Sequence, residues 1–259
     1  MRARVGFGGH AVSAMPLLVM RSWMPTVSTG VSLARARATC GVLLLVGAMG
    51  CKHRPPPPHE VAPEVTEATE RQDAIGVYEE LETLIAGGRD TESDRVFAYD
   101  RVRAMPDDQS AGYAFVRGAL AGRVAELRGI RAGRLVGEAE AWARRSRERD
   151  PAWNDGAATR MLGTLYVKAP SRLVEHGDSE DGLAMLEELA EQQPDDPRTQ
   201  LRLAEAYVHL GDREPAVQPL CRVLPARDQL RPDEQKLADS LVRELGGPEG
   251  LPCASGGDA

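Results

Sequence analysis

Lysine is almost missing from this 259-residue chain: Lys52, Lys168 and Lys236 are the only three, while arginine is abundant. Isoleucine is as scarce (Ile75, Ile85, Ile130), and Phe, Trp and Tyr together make up 4%. Strands draw on β-branched and aromatic side chains, so the composition argues against an all-β fold. The first 50 residues contain no acid and five Arg, which leaves 27 basic against 39 acidic residues in the remainder, a net of −12. Non-specific nucleic-acid binding needs a basic patch, and that balance argues against it. No H-E-x-x-H, phosphate-binding glycine loop or serine nucleophile elbow is found. His53 and His59 lack a Cys or carboxylate companion, a poor basis for a metal site. His176 and His209 read as two surface histidines near turns, and Glu79-Glu80 and Glu187-Glu188 as solvated helix faces. The expectation is a protein that is not an enzyme and takes no cofactor or metal.

What is present begins with an address. Arg35 and Arg37 precede the apolar run 41–50, and Cys51 follows directly. A basic region, a short apolar core and small residues before the cut make a secretory signal over 1–50, and its apolar run is too short to span a bilayer stably. The approach Ala48-Met-Gly-Cys51 resembles the bacterial lipobox, although Ala48 stands where that motif usually has Leu. The resemblance implies lipidation at Cys51 and a bacterial cell-envelope protein, anchored to a membrane and facing the periplasm or exterior. The alternative is an ordinary signal peptide cut nearby, or a plain anchor. Internal methionines suggest a start further downstream, and from Met24 the signal would have normal length. Residues 51–69, with four consecutive prolines, read as a stiff extended tether.

From residue 70 to 245 apolar residues recur at helical spacing, broken by Gly and Pro stops. The pattern predicts helices near 70–86, 90–104, 109–128, 132–149, 156–168, 179–192, 197–210, 213–224 and 232–245. Residues 246–259 read as a flexible tail. Gly177-Asp-Ser-Glu-Asp-Gly182-Leu-Ala-Met-Leu186 aligns with Gly211-Asp-Arg-Glu-Pro-Ala216-Val-Gln-Pro-Leu220 at an offset of 34 residues, which is the tetratricopeptide period.

On these residues the chain resembles the tetratricopeptide (TPR) family. One repeat supplies Leu162, Gly163, Tyr166, Gly182, Leu186, Leu189 and Pro194; the next supplies Leu203, Ala204, Tyr207, Ala216, Leu220 and Val223. Ala139, Ala143 and Pro151 match an earlier helix. The motif implies that small residues let two helices cross closely while the aromatic and Leu fill the gap between them. Tyr166 and Tyr207 stand 41 apart, so seven extra residues enter within 169–177, and Pro219 should kink its helix. The resemblance implies an all-α, TPR-like superhelix of antiparallel helix pairs with a C-terminal capping helix. The order Leu162-Gly-Thr-Leu-Tyr166, Ala169-Pro170, Gly177-Asp178 and Pro194-Asp-Asp-Pro197 also looks like the T-component (TatT-like) lipoproteins of TRAP-type solute transporters.

In a TPR pair the first helix lines the concave face. The motif register puts Arg160, Thr164 and Lys168, then Arg198, Leu201, Glu205 and Val208, in the groove. Arg160, Lys168 and Arg198 would form a basic stripe suited to a carboxylate-bearing peptide or solute. Their alternative reading is ordinary solvated helix residues. Cys221 and Cys253 are an even pair in an oxidising compartment, so either a disulfide pins the tail or Cys221 is buried beside a free tail thiol. Two functions follow: a binding or scaffolding lipoprotein for a protein or peptide partner, or a transport accessory holding a small ligand or its solute-binding protein. A closed pocket against an open groove separates them.

Overall fold

The computed structural model describes residues 60–253. The signal, Cys51, the proline run and residues 254–259 lie outside the described residues. Ten α-helices follow one another: α1 (Pro63–Glu70), α2 (Ala74–Ala86), α3 (Glu92–Ala104), α4 (Ala111–Arg128), α5 (Gly133–Arg149), α6 (Ala157–Lys168), α7 (Ser179–Gln192), α8 (Pro197–Leu210), α9 (Arg213–Val223) and α10 (Pro232–Glu244). No strand occurs among the described residues.

Local chemistry explains where the helices begin. Side chains of Asp73, Ser110 and Asp196 accept hydrogen bonds from backbone N–H groups that the first turn leaves unpaired. Thr91 with Asp94, and Asp178 with Asp181, form reciprocal capping boxes. Gly211, at φ 93°, closes α8 in the left-handed conformation that glycine adopts without steric cost. The helix expected over 70–86 starts at Ala74, because Gln72 turns left-handed (φ 55°) and Asp73 caps the start.

Two boundaries differ from the sequence reading. The tether ends before residue 63, since α1 buries Val65 and Ala68 completely. Asp94 fixes that entry by accepting the Ala62 N–H at 2.8 Å. The tail is folded as far as Cys253. Leu251 is fully buried in the C-terminal core, and Cys221 and Cys253 are joined as a disulfide with Cα atoms 5.6 Å apart. An apolar anchor and a covalent link hold what composition alone suggested would be loose.

Helices pack as antiparallel neighbours, most extensively α4 on α5, α6 on α7 and α8 on α9. The crossings are close where both faces are small. A Cβ added to Gly182 would sit 2.7 Å from the Gly163 carbonyl oxygen, and one added to Gly163 would sit 2.9 Å from that of Gly182. Ala204 and Ala216 are likewise fully buried in α8 and α9. Leu162, Leu186, Leu201 and Leu220 fill the space around these crossings with almost no exposure. Each contributes about 2 kcal/mol relative to an exposed side chain. Pro219 lies buried within α9, which continues to Val223. The result is an all-α, TPR-like superhelix.

A second set of contacts decides the shape. α2 touches α4, α4 touches α6, α6 touches α8, α8 touches α10, and α10 touches α2. The first helices of successive pairs therefore form a ring, closed by α10 against α2. α10 is more than a cap on the last repeat.

Candidate functional site: the central cavity

The ring lines a cavity of about 1330 Å³ that is broadly open to solvent. Its closure depends on Glu82, which breaks the apolar face of α2 and is buried. Arg123 of α4 grips both Glu82 oxygens, Nε and Nη2 each at 2.6 Å. Arg231, at the start of α10, donates Nη1 to the same carboxylate across 149 residues of chain. Burial alone would raise the Glu82 pKa; the two guanidinium groups outweigh it and hold it below the ordinary carboxylate value. Beside it the Tyr78 hydroxyl is pushed up to about 12 by burial and by the Glu82 charge.

The charge chain continues around the wall. Arg202 of α8 bonds Glu205 at 2.9 Å and stands 3.7 Å from Glu234 of α10; Lys168 of α6 donates to the other Glu205 oxygen. At the far mouth, Asn154, Asp155 and Gly156 are three consecutive left-handed residues (φ 47°, 54° and 74°). That turn presents the Asn154 and Asp155 carbonyls to Arg160, whose guanidinium also reaches Asp196 (3.1 Å) and Thr199 (3.2 Å).

The structure brings Arg160, Thr164, Lys168 and Arg198 together on the cavity wall. It does not bring Leu201 or Val208 there. Leu201 is fully buried in the C-terminal core and Val208 packs against that core. Arg202, one residue beyond Leu201, faces the cavity instead. Glu205 is buried and acts through its hold on Lys168. The three groove cations are not a bare basic stripe: Arg160 pairs with Asp196, Lys168 with Glu205, and Arg198 with Asp155 and Asp196.

Sequence reasoning missed Glu82, Arg123, Arg202 and Arg231. Of the three acids within Val77-Tyr-Glu-Glu-Leu-Glu-Thr-Leu-Ile85, Glu82 stands four residues from both Tyr78 and Ala86, on their helix face, and that was the available signal. It also missed Glu140. That buried carboxylate accepts from the Glu175 and His176 backbone N–H groups, both at 2.8 Å, and from the Tyr166 hydroxyl at 3.0 Å. Glu140 thereby pins the inserted loop, and Ala169, Pro170 and Leu173 at the start of that loop line the cavity. Burial pushes the Glu140 pKa up, but these three donors leave it below the ordinary value.

Residues 173–238 match the family model for the tetratricopeptide repeat. The matched segment covers α7, α8, α9 and the first half of α10. Tetratricopeptide repeats mediate binding of protein partners, and the fold is typically a non-enzymatic scaffold. No curated protein matches the chain. Among the described residues no group of three or more His, Cys, Asp or Glu is placed to hold a metal ion, and no helix is long and apolar enough to cross a membrane.

Proposed function

We propose that this protein is a non-enzymatic binding lipoprotein of the bacterial cell envelope, and that its working site is the cavity inside the helical ring. The observation that carries this reading is the closure of α10 on α2 through Arg231 and Glu82. An open TPR groove offers an extended surface to a peptide. A ring converts that surface into a walled chamber, the usual form of a site for a small or narrow ligand. The cavity favours the accessory role over an open scaffold: the protein captures a ligand and passes it to, or receives it from, a transporter component or solute-binding protein. The basic region and apolar run before Cys51, and the proline tether after it, support attachment to a membrane through lipid.

Native mass spectrometry of exported full-length protein tests the reading. A retained small molecule in the wild type that is lost in Ala119→Trp, which fills the chamber, is the expected result. Protein partners co-purifying equally with both forms, and no retained ligand, would return the molecule to the open-scaffold class. Fatty-acid labelling of wild type and Cys51→Ser tests the anchor; equal labelling would remove it.

A further inference from the structure

The ring is unevenly joined. Where α6 meets α8, the ion pair of Lys168 with Glu205 is accompanied by an apolar cluster, in which Val167 of α6 and Leu186 of α7 pack with Leu203 of α8. Where α10 meets α2, no apolar cluster bridges the joint among the described residues. The N-terminal core draws its members from residues 61–174 and the C-terminal core from 201–251, so no side chain is shared between them. Arg231 supplies the polar contacts across this seam, to the Glu82 carboxylate and the Tyr78 hydroxyl.

The two sides of this seam can part without stranding a charge. Glu82 is only 5% exposed, and a buried carboxylate left alone would resist separation strongly. It is not left alone, because Arg123 holds both of its oxygens from within the N-terminal half, in a grip that does not involve α10. Arg231 is 36% exposed and has Asp233 and Glu234 of its own helix at 3.5 and 3.6 Å. Nor does α10 need the seam in order to stay folded. Ala238 and Leu241 are buried in the C-terminal core with Leu230 before them and Leu251 after them, and the Cys221–Cys253 disulfide ties that end to α9. In a repeat array each unit touches mainly its neighbours, so the angle between units is the soft coordinate.

From this asymmetry we infer that the α2–α10 seam is a gate. The ring opens sideways when α8, α9 and α10 rotate about the apolar α6–α8 joint, and Arg231 is the latch that closes it on Glu82. The inference rests on the cavity reading and adds how the cavity is entered. Opening turns the ring into the groove of an ordinary repeat array, so an extended ligand enters from the side instead of threading through.

Distances between two spin labels test the gate in the full exported chain with its disulfide intact. Labels carried on unnatural amino acids replace Glu67 on α1 and Lys236 on α10, both exposed, and pulsed electron resonance reads their separation. Arg231→Gln should raise the ratio of a long to a short separation about tenfold, the worth of one charged hydrogen bond, with the helical spectrum unchanged. Arg231→Lys, which keeps the charge on a single-pronged group, should fall between it and the wild type. Arg123→Gln should behave in the opposite way: the unfolding midpoint falls further than in Arg231→Gln, and no long separation is added, because Arg231 becomes the remaining partner of a buried Glu82. Lys168→Gln, which breaks a pair at the apolar joint, should leave the separation as in the wild type. Superimposable distances in the wild type and Arg231→Gln overturn the gate. So does a long separation in Lys168→Gln equal to that in Arg231→Gln, or a loss of helicity in both Arg231 variants in place of opening. No ligand enters this measurement, so such a result leaves the cavity reading, tested by its retained molecule, standing.

Discussion

At the α6/α7 crossing a glycine faces a glycine, with Gly163 against Gly182; at the α4/α5 crossing Gly118 faces Ala139 and Ala143. A Cβ on Gly118 would meet the Ala139 carbonyl oxygen at 3.0 Å and the Ala143 nitrogen at 3.1 Å, slightly looser than the 2.7 Å at Gly182. The two crossings are also filled differently. Between α6 and α7 the infill is Leu162, Leu186 and Tyr166, as the repeat motif expects. On α5 a half-buried Trp142 lies edge-on to Tyr113 and is sandwiched by Arg117 (4.6 Å) and Arg145 (4.3 Å). Both pairs have the same architecture, yet the family match over 173–238 takes in α7 and leaves out α6, α5 and α4. A helix pair needs small residues at the point of closest approach and bulk around it. Which bulky residues supply it is free to drift, because cores tolerate substitutions that conserve volume.

The largest effect should come from closing the tighter crossing. Gly182→Leu should destabilise by about 3 kcal/mol or more, since backbone rather than a flexible side chain blocks the new atoms. The sharper version compares alanines. Gly182→Ala should cost more than Gly118→Ala, whose helix-propensity gain of about 1 kcal/mol offsets its milder contact. Equal shifts in urea midpoint would mean that the two crossings do not differ as their geometry indicates.

The C-terminal half carries a covalent brace that the N-terminal half lacks among the described residues. Cys253→Ser should lower stability by about 3 kcal/mol, given a loop with sequence separation 32. The helical spectrum should persist, because α10 still docks through Ala238 and Leu241. Two free thiols in exported wild-type protein would remove the brace from the account.

Glu140 and Glu82, both in the N-terminal half, make its stability depend on pH. Both have depressed carboxylate pKa values in the folded protein. The unfolded chain therefore takes up protons first as pH falls. The stability these groups contribute is complete above the unfolded value of about 4.3 and is lost as pH falls through the folded value. Glu140→Gln should cost about 1–3 kcal/mol at neutral pH, the scale for a buried polar network losing a charged acceptor. It should also flatten the loss of stability below about pH 4.5. Parallel acid profiles for mutant and wild type would show that Glu140 is not one of the groups responsible.

The smallest effect belongs to the caps. Thr91→Ala removes the side-chain acceptor for the Asp94 N–H and should cost about 1 kcal/mol. Asp94→Ala should cost more, because Asp94 also holds the start of α1. Equal losses would mean that the α1 attachment adds nothing.

Helix positions were legible because they are written locally. Nine expected segments coincide with α2 to α10 to within a few residues, and the caps and stops that set them lie within one turn of each boundary. The crossings at Gly182 and Ala216 were legible too, because the 34-residue offset repeats the small residue. Part of the cavity lining was legible for a similar reason: Arg160, Thr164, Lys168 and Arg198 lie on helix faces that the repeat register defines. Leu201 and Val208 were misassigned because 198, 201, 205 and 208 span a broad arc, and only the packing of α9 and α10 shows which edge of that arc is core.

What the sequence by itself determined is the set of helices, their antiparallel pairing and the small-residue seams between them, all consequences of spacing within about 34 residues. The tertiary structure alone decided that the superhelix closes. Closure depends on the accumulated angles of successive pairs, and no short stretch of sequence contains that sum. It brings Arg231 to Glu82 across 149 residues, and it turns a concave face into a cavity lined by both apolar and charged side chains.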